Sequence, residues 1–93
     1  MRWKTPIEDA RAFLAKPTSW SAHFAWGMAV CLFVGHWSPG LGFAAAAALG
    51  FAWECAWGAL HPHDSAAQPS AFDSAVFILG GLCGYLLILM QGA

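Results

Sequence analysis

The chain has 93 residues, of which 59% are apolar and only 10% charged, and its formal net charge is −1. Soluble domains carry roughly 25% charge, and a domain this short buries only about 60% of the surface its open chain exposes. That arithmetic excludes an ordinary soluble domain, a disordered segment and a nucleic-acid binder, and it points to an integral membrane protein.

The N-terminus opens with Thr5-Pro6-Ile7-Glu8. Ser or Thr followed three residues later by Glu is a capping box, and Pro is at home in the first helical position. The spacing predicts a short amphipathic helix over 6–16, with Ile7, Ala10 and Leu14 on one face and Pro17 as its end. Such a segment suits the membrane surface. It carries Glu8 and Asp9 and is followed by no small-residue cleavage site, so it does not read as a secretory signal.

Residues 17–53 then run for 37 positions without Asp, Glu, Lys or Arg. One straight helix of that length would measure about 55 Å, against a hydrocarbon core of about 30 Å. Ser38-Pro39-Gly40 supplies the break, because Pro cannot continue a helix and Gly tolerates turn geometry. The run therefore reads as two antiparallel spans, 20–37 and 41–60, forming a tight hairpin. Trp20 and Trp37 frame the first as interfacial anchors. A third charge-free run, 74–93, extends back through its leading turn into a span over 71–91. The expected fold is all-α: one membrane domain over 1–93, with an interfacial helix and three transmembrane helices.

All four basic residues, Arg2, Lys4, Arg11 and Lys16, precede the first span, and the 61–70 loop has none. The positive-inside rule puts the N-terminus in the cytoplasm of a bacterial-type inner membrane. Three spans put the C-terminus outside and the 61–70 loop on the cytoplasmic side.

Small residues recur every four positions in His23, Gly27, Cys31 and Gly35 and in Ala46, Gly50, Glu54 and Gly58, while Asp73, Phe77, Gly80 and Gly84 share one face at steps of three and four. Stripes of this kind let helix backbones approach closely in lipid. The glycines are expected to serve packing. The polar members are the candidates for function. Glu54 lies about 5 Å in depth from the middle of its span, and an ionisable group there is costly and marks a site. The topology brings His23, Glu54 and Asp73, from three helices, to one cytoplasmic-side level. Asp73 has a second reading, as part of a Ser70-Ala71-Phe72-Asp73 capping box. Glu54 is either a neutral hydrogen-bonding device or an ion held by His23.

His61-Pro62-His63-Asp64 offers further ligand types, and His61, His63 and Asp64 with Glu54 or Asp73 form an alternative divalent-metal site. No cofactor is otherwise expected. Cys31, Cys55 and Cys83 show no C-x-x-C spacing and read as packing residues, and Trp26, Trp53 and Trp57 read as lipid-facing or packing. No catalytic constellation and no phosphate loop is present in the sequence.

The pattern His23-Phe24, then Glu54, then Asp73 followed by Gly80-Gly81 and Gly84, resembles small VanZ-like membrane proteins. The opening His23-Phe24-Ala25-Trp26-Gly27 is also similar to small phage-encoded three-span proteins. The resemblance covers about residues 20–90. A VanZ-like chain commonly has a Gln after the Glu, an Asn after the Asp and a Lys before the His. Trp57 and Phe77 stand near the first two places, and no Lys directly precedes His23. The resemblance implies an envelope location and no particular reaction.

The expected function is a non-catalytic envelope protein whose His23/Glu54/Asp73 cluster binds a lipid head group, a cation or a proton. A holin-like lysis pore and a small accessory subunit of a larger membrane complex are the alternatives. The expected partners are the bilayer, further copies of the chain, or a larger membrane protein.

Overall fold

The computed structural model describes residues 2–92. Four helices follow one another: α1 (Pro6–Ala15), α2 (Pro17–Gly35), α3 (Pro39–Leu60) and α4 (Ala71–Gly92), with a 3-10 turn at Ser65–Ala67 before the last. No strand occurs among the described residues. Proline sets three of the four starts. Pro6, Pro17 and Pro39 each open a helix, where a missing N–H costs nothing. The helix before Pro17 and the one after Pro39 therefore meet their neighbours through very short joints. Lys16 alone separates α1 from α2, so α2 begins three residues earlier than expected. Ser38 caps α3 by accepting a hydrogen bond from the Leu41 N–H at 3.4 Å, so Pro39 and Gly40 are helical rather than part of the turn.

The capping box forms as the sequence predicts. Thr5 Oγ1 accepts from the Glu8 N–H at 3.4 Å, and Glu8 Oε1 accepts from the Thr5 N–H at 3.0 Å.

α2, α3 and α4 make a three-helix bundle, and the buried positions are the small-residue stripes. They are Gly27, Cys31 and Gly35 on α2, Gly42, Ala46, Gly50, Glu54 and Gly58 on α3, and Ser74, Phe77, Gly80, Gly81 and Gly84 on α4. The closest seam joins α2 to α4 rather than the two arms of the hairpin. A Cβ on Gly27 would collide with the Phe77 carbonyl, and one on Gly80 with the Phe24 carbonyl. On the α2–α3 seam, a Cβ on Gly42 would lie 2.7 Å from the Gly35 Cα. Only hydrogen atoms fit between these backbones.

The large apolar side chains point the other way. Trp26 is 67% exposed, Phe33 71% and Trp53 53%, and Leu79, Leu86 and Met90 are also exposed. Two helical stretches, Pro39–Leu60 and Ser65–Gly92, are long and apolar enough to cross a membrane. α2 is not one of them: its first turns, Pro17-Thr18-Ser19-Trp20-Ser21, are polar.

α1 lies across one end of the bundle, against α2 and α4. Its outward face carries Ile7 and Leu14, both exposed, while Phe13 packs on Trp20 and Phe72. The residue it buries is polar. Asp9 is 2% exposed and accepts from the Ser70 hydroxyl and, at 3.1 Å, from the Phe72 N–H. A carboxylate from α1 thus caps the N-terminus of α4, where free N–H groups and the helix dipole favour it. Gln68 organises the preceding loop. Its Nε2 lies 3.1–3.3 Å from the carbonyls of His61, Pro62 and Asp64, and its Oε1 accepts from the Arg2 N–H at 2.9 Å.

Candidate functional site

The three polar stripe residues meet at the end of the bundle that α1 covers. His23, Glu54 and Asp73 each present a ligand-type atom, and these atoms all lie within 4.8 Å of one another. His23 sits on the second turn of α2. Its Nδ1 is 2.7 Å from the Ser19 carbonyl oxygen, which can only accept, so Nδ1 carries a hydrogen and Nε2 faces the cluster. The nearer carboxylate to Nε2 is Asp73 Oδ2, at 3.9 Å. Glu54 rises from the last two turns of α3. It is 7% exposed, and its Oε1 is buried without a hydrogen-bond partner.

Two details differ from the sequence reading. The carboxylate nearest the His23 ring is Asp73, not Glu54, across the tighter α2–α4 seam. The Ser70 capping box is half made: Ser70 Oγ accepts from the Asp73 N–H at 3.0 Å, but its hydroxyl hydrogen goes to Asp9, and the Asp73 side chain turns toward His23.

His61, His63 and Asp64 do not converge on the cluster. Among the described residues, His23, Glu54 and Asp73 are the one group of three or more such side chains close enough to share a metal ion. His61 Nδ1 is 3.1 Å from the Trp57 carbonyl, Asp64 Oδ1 caps the 3-10 turn through the Ala66 N–H at 3.0 Å, and His63 is exposed. Local backbone hydrogen bonds have claimed the His and the Asp that the loop offered.

Two cavities touch the cluster, one at Asp73 and one at His23. The first, of about 270 Å³, is a cleft of mixed polarity beside α1, lined by Lys4, Glu8, Phe13, Lys16, Ser19 and Asp73 among others. The other, of about 600 Å³, is an apolar groove lined by Ser19, Ala22, His23, Trp26, Val30, Leu49, Trp53 and Phe77. Ser19 lines both. Lys4, Lys16 and Ser19 were not singled out from sequence as site residues. The two lysines belong to the basic cluster that set the orientation, and that cluster was the available signal.

At the rim of the cleft, Glu8 is held as an anion. The Thr5 backbone N–H, the Thr5 side chain and the Arg2 guanidinium lower its pKa from 4.5 to about 2. Arg2 Nη1 is 3.3 Å from Glu8 Oε1, and both side chains are solvated, so the pair itself adds little.

Compared with known proteins, the chain matches no family model, no curated protein and no solved structure.

Proposed function

We propose that this chain is a small polytopic membrane protein that binds an anionic lipid at its α1 end. The observation that carries the ligand class is the neighbourhood of two cavities that share Ser19. A cleft bearing Lys4 and Lys16 beside Glu8 and Asp73, next to an apolar groove, would suit an amphiphile with a charged head and a hydrocarbon tail. The phosphate would face Lys4 and Lys16, and one acyl chain would run along Trp26, Leu49 and Trp53. Lysines near a membrane surface contribute about 1 kcal/mol each toward anionic lipid.

The packing supports the membrane part of the reading. A core helix of a soluble protein is mostly buried, whereas only 22% and 28% of the apolar stretches of Pro39–Leu60 and Ser65–Gly92 are. Small residues inside and large apolar residues outside is the arrangement that suits lipid as solvent. The molecule is 46 Å long, against about 40–45 Å for a bilayer with its head-group layers. In this reading α2 is a third span whose polar first turns lie in the head-group layer. α1 lies at the cytoplasmic face with Ile7 and Leu14 toward the lipid. The C-terminus is outside. The resemblance to VanZ-like proteins rests on the same His23, Glu54 and Asp73 and agrees with an envelope location.

Two measurements test the proposal. Alkaline carbonate extraction of cell membranes is expected to leave the protein in the pellet. Native mass spectrometry of the purified protein is expected to retain phosphatidylglycerol over phosphatidylcholine. Removing both charges in a Lys4→Gln/Lys16→Gln variant should weaken that retention by about 30-fold, the equivalent of about 2 kcal/mol. Equal retention of the two lipids, or no loss in the double variant, refutes the lipid assignment.

A further inference from the structure

We infer that His23, Glu54 and Asp73 form a binding site for one divalent cation of the zinc or manganese class. The inference stands whether or not the cleft takes a lipid, because it rests on the cluster alone. Three helices supply one ligand atom each, all within 4.8 Å of one another. Bonds of about 2.0–2.2 Å in a tetrahedral site set ligand atoms about 3.4 Å apart. The cluster is therefore open by little more than 1 Å, and Asp73, half-buried on the first turn of α4, has the freedom to close it.

His23 already holds the pose of a ligand. Its Nδ1–H is given to the Ser19 carbonyl, which fixes the tautomer and leaves the Nε2 lone pair facing the two carboxylates. Metal-binding imidazoles are oriented by just such a second hydrogen bond.

Glu54 supplies the independent sign of a missing partner. It is more than nine-tenths buried and Oε1 has no hydrogen bond. A buried polar atom left unpaired is expensive, and native structures rarely tolerate one without a bound ion or water. No lysine or arginine among the described residues is ion-paired to Glu54 or Asp73. Lys4 lines the neighbouring cleft. Two carboxyl side chains without a lysine or arginine partner suit a divalent cation.

The donor set fixes the class. Imidazole suits zinc and other first-row transition ions, carboxylate suits manganese and harder ions, and a mixture of one with two selects against magnesium and calcium. Three protein ligands leave a position for water, and Asp73 also lines the cleft, so that position opens toward it.

The test uses the full chain in detergent, freed of any affinity tag and stripped with a chelator. Zinc is titrated by calorimetry, and bound metal is counted by elemental analysis. One zinc per chain is expected. His23→Gln and Glu54→Gln should each weaken binding at least tenfold, and His61→Ala/His63→Ala should leave it unchanged. Cobalt in place of zinc should give visible absorption bands that vanish in His23→Gln. His23 is only half-buried, so this variant decides the matter even where Glu54→Gln fails to fold. Absence of stoichiometric binding in the wild type overturns the inference. So does binding that survives in His23→Gln, or that is lost in the loop double variant.

Discussion

Substituting Gly80 by Ala is the sharpest test of the bundle, because the atom it would strike is backbone. A Cβ at Gly80 runs into the Phe24 carbonyl oxygen and lies 2.9 Å from the Phe24 carbonyl carbon and 3.1 Å from the Met28 nitrogen. Ordinary contact begins near 3.4 Å. A side chain could rotate away, but a helix backbone cannot, so α2 and α4 must part by about 1 Å along their length. Overpacking of this kind costs about 1–3 kcal/mol, and the rigidity of the obstacle puts Gly80→Ala near the top of that range. A loss of about 2–3 kcal/mol lowers the folded-to-unfolded ratio by roughly 30- to 150-fold. Gly40 is the control: nothing lies within 4 Å of its Cβ position, and Ala is the better helix former. Unfolding by sodium dodecyl sulfate in mixed micelles, followed by circular dichroism, should rank Gly80→Ala well below the wild type and Gly40→Ala at or slightly above it. Equal midpoints for the two variants would refute the α2–α4 seam.

Other outcomes follow from single contacts. Asp9→Ala strands the Ser70 hydroxyl and the Phe72 N–H, a loss of about 1–3 kcal/mol, and trypsin should then cut faster after Arg11 as α1 lifts off. The Glu8 carboxylate has a lower pKa folded than unfolded, so its support of α1 is whole above about pH 4.5 and fades as the pH falls toward 2. Helicity followed by circular dichroism over that window should fall in the wild type and stay flat in Glu8→Gln. Cys31 is fully buried between the helices, so a maleimide should reach it only after unfolding. Induction in bacteria should leave the membrane potential unchanged, as read by a potential-sensitive dye. Abrupt depolarisation would favour a lysis pore over a lipid-binding protein.

The helices were legible because punctuation and burial share one simple code in this chain. Pro6, Pro17 and Pro39 start helices, Thr5 and Ser38 cap them, and the stripes of small residues mark the buried faces. His23, Glu54 and Asp73 could be assembled from sequence since each lies on such a stripe, toward the same end of the expected three-helix arrangement. What escaped was any contact that depends on how the chain ends meet. Asp9 and Ser70 are 61 residues apart, and no local pattern says that a first-helix carboxylate will cap the last helix. Gln68 sits in a loop whose shape comes from three carbonyls converging on one side-chain amide. The preference of α2 for α4 was hidden too. Short turns suggest that neighbours in sequence pair most closely, and only the meeting of Gly27 with Phe77, and of Gly80 with Phe24, reverses that order.

The inside-out distribution of side-chain size has a consequence for how this protein can change over generations. At most outward positions one bulky apolar residue serves as well as another, so Trp, Leu, Phe and Ile can trade places at little cost. Apart from Phe77 and the polar cluster, the inward positions hold Gly, Ala, Ser and Cys, and at Gly27, Gly42 and Gly80 opposing backbone blocks any increase in volume. With lipid as the surrounding solvent, as proposed above, tolerance would run opposite to that of a water-soluble protein, whose interior accepts shuffled hydrophobes and whose surface accepts almost anything polar. Two descendants of this chain could share few of their large residues and still fold alike, provided the small ones and the three polar residues between them stayed in step.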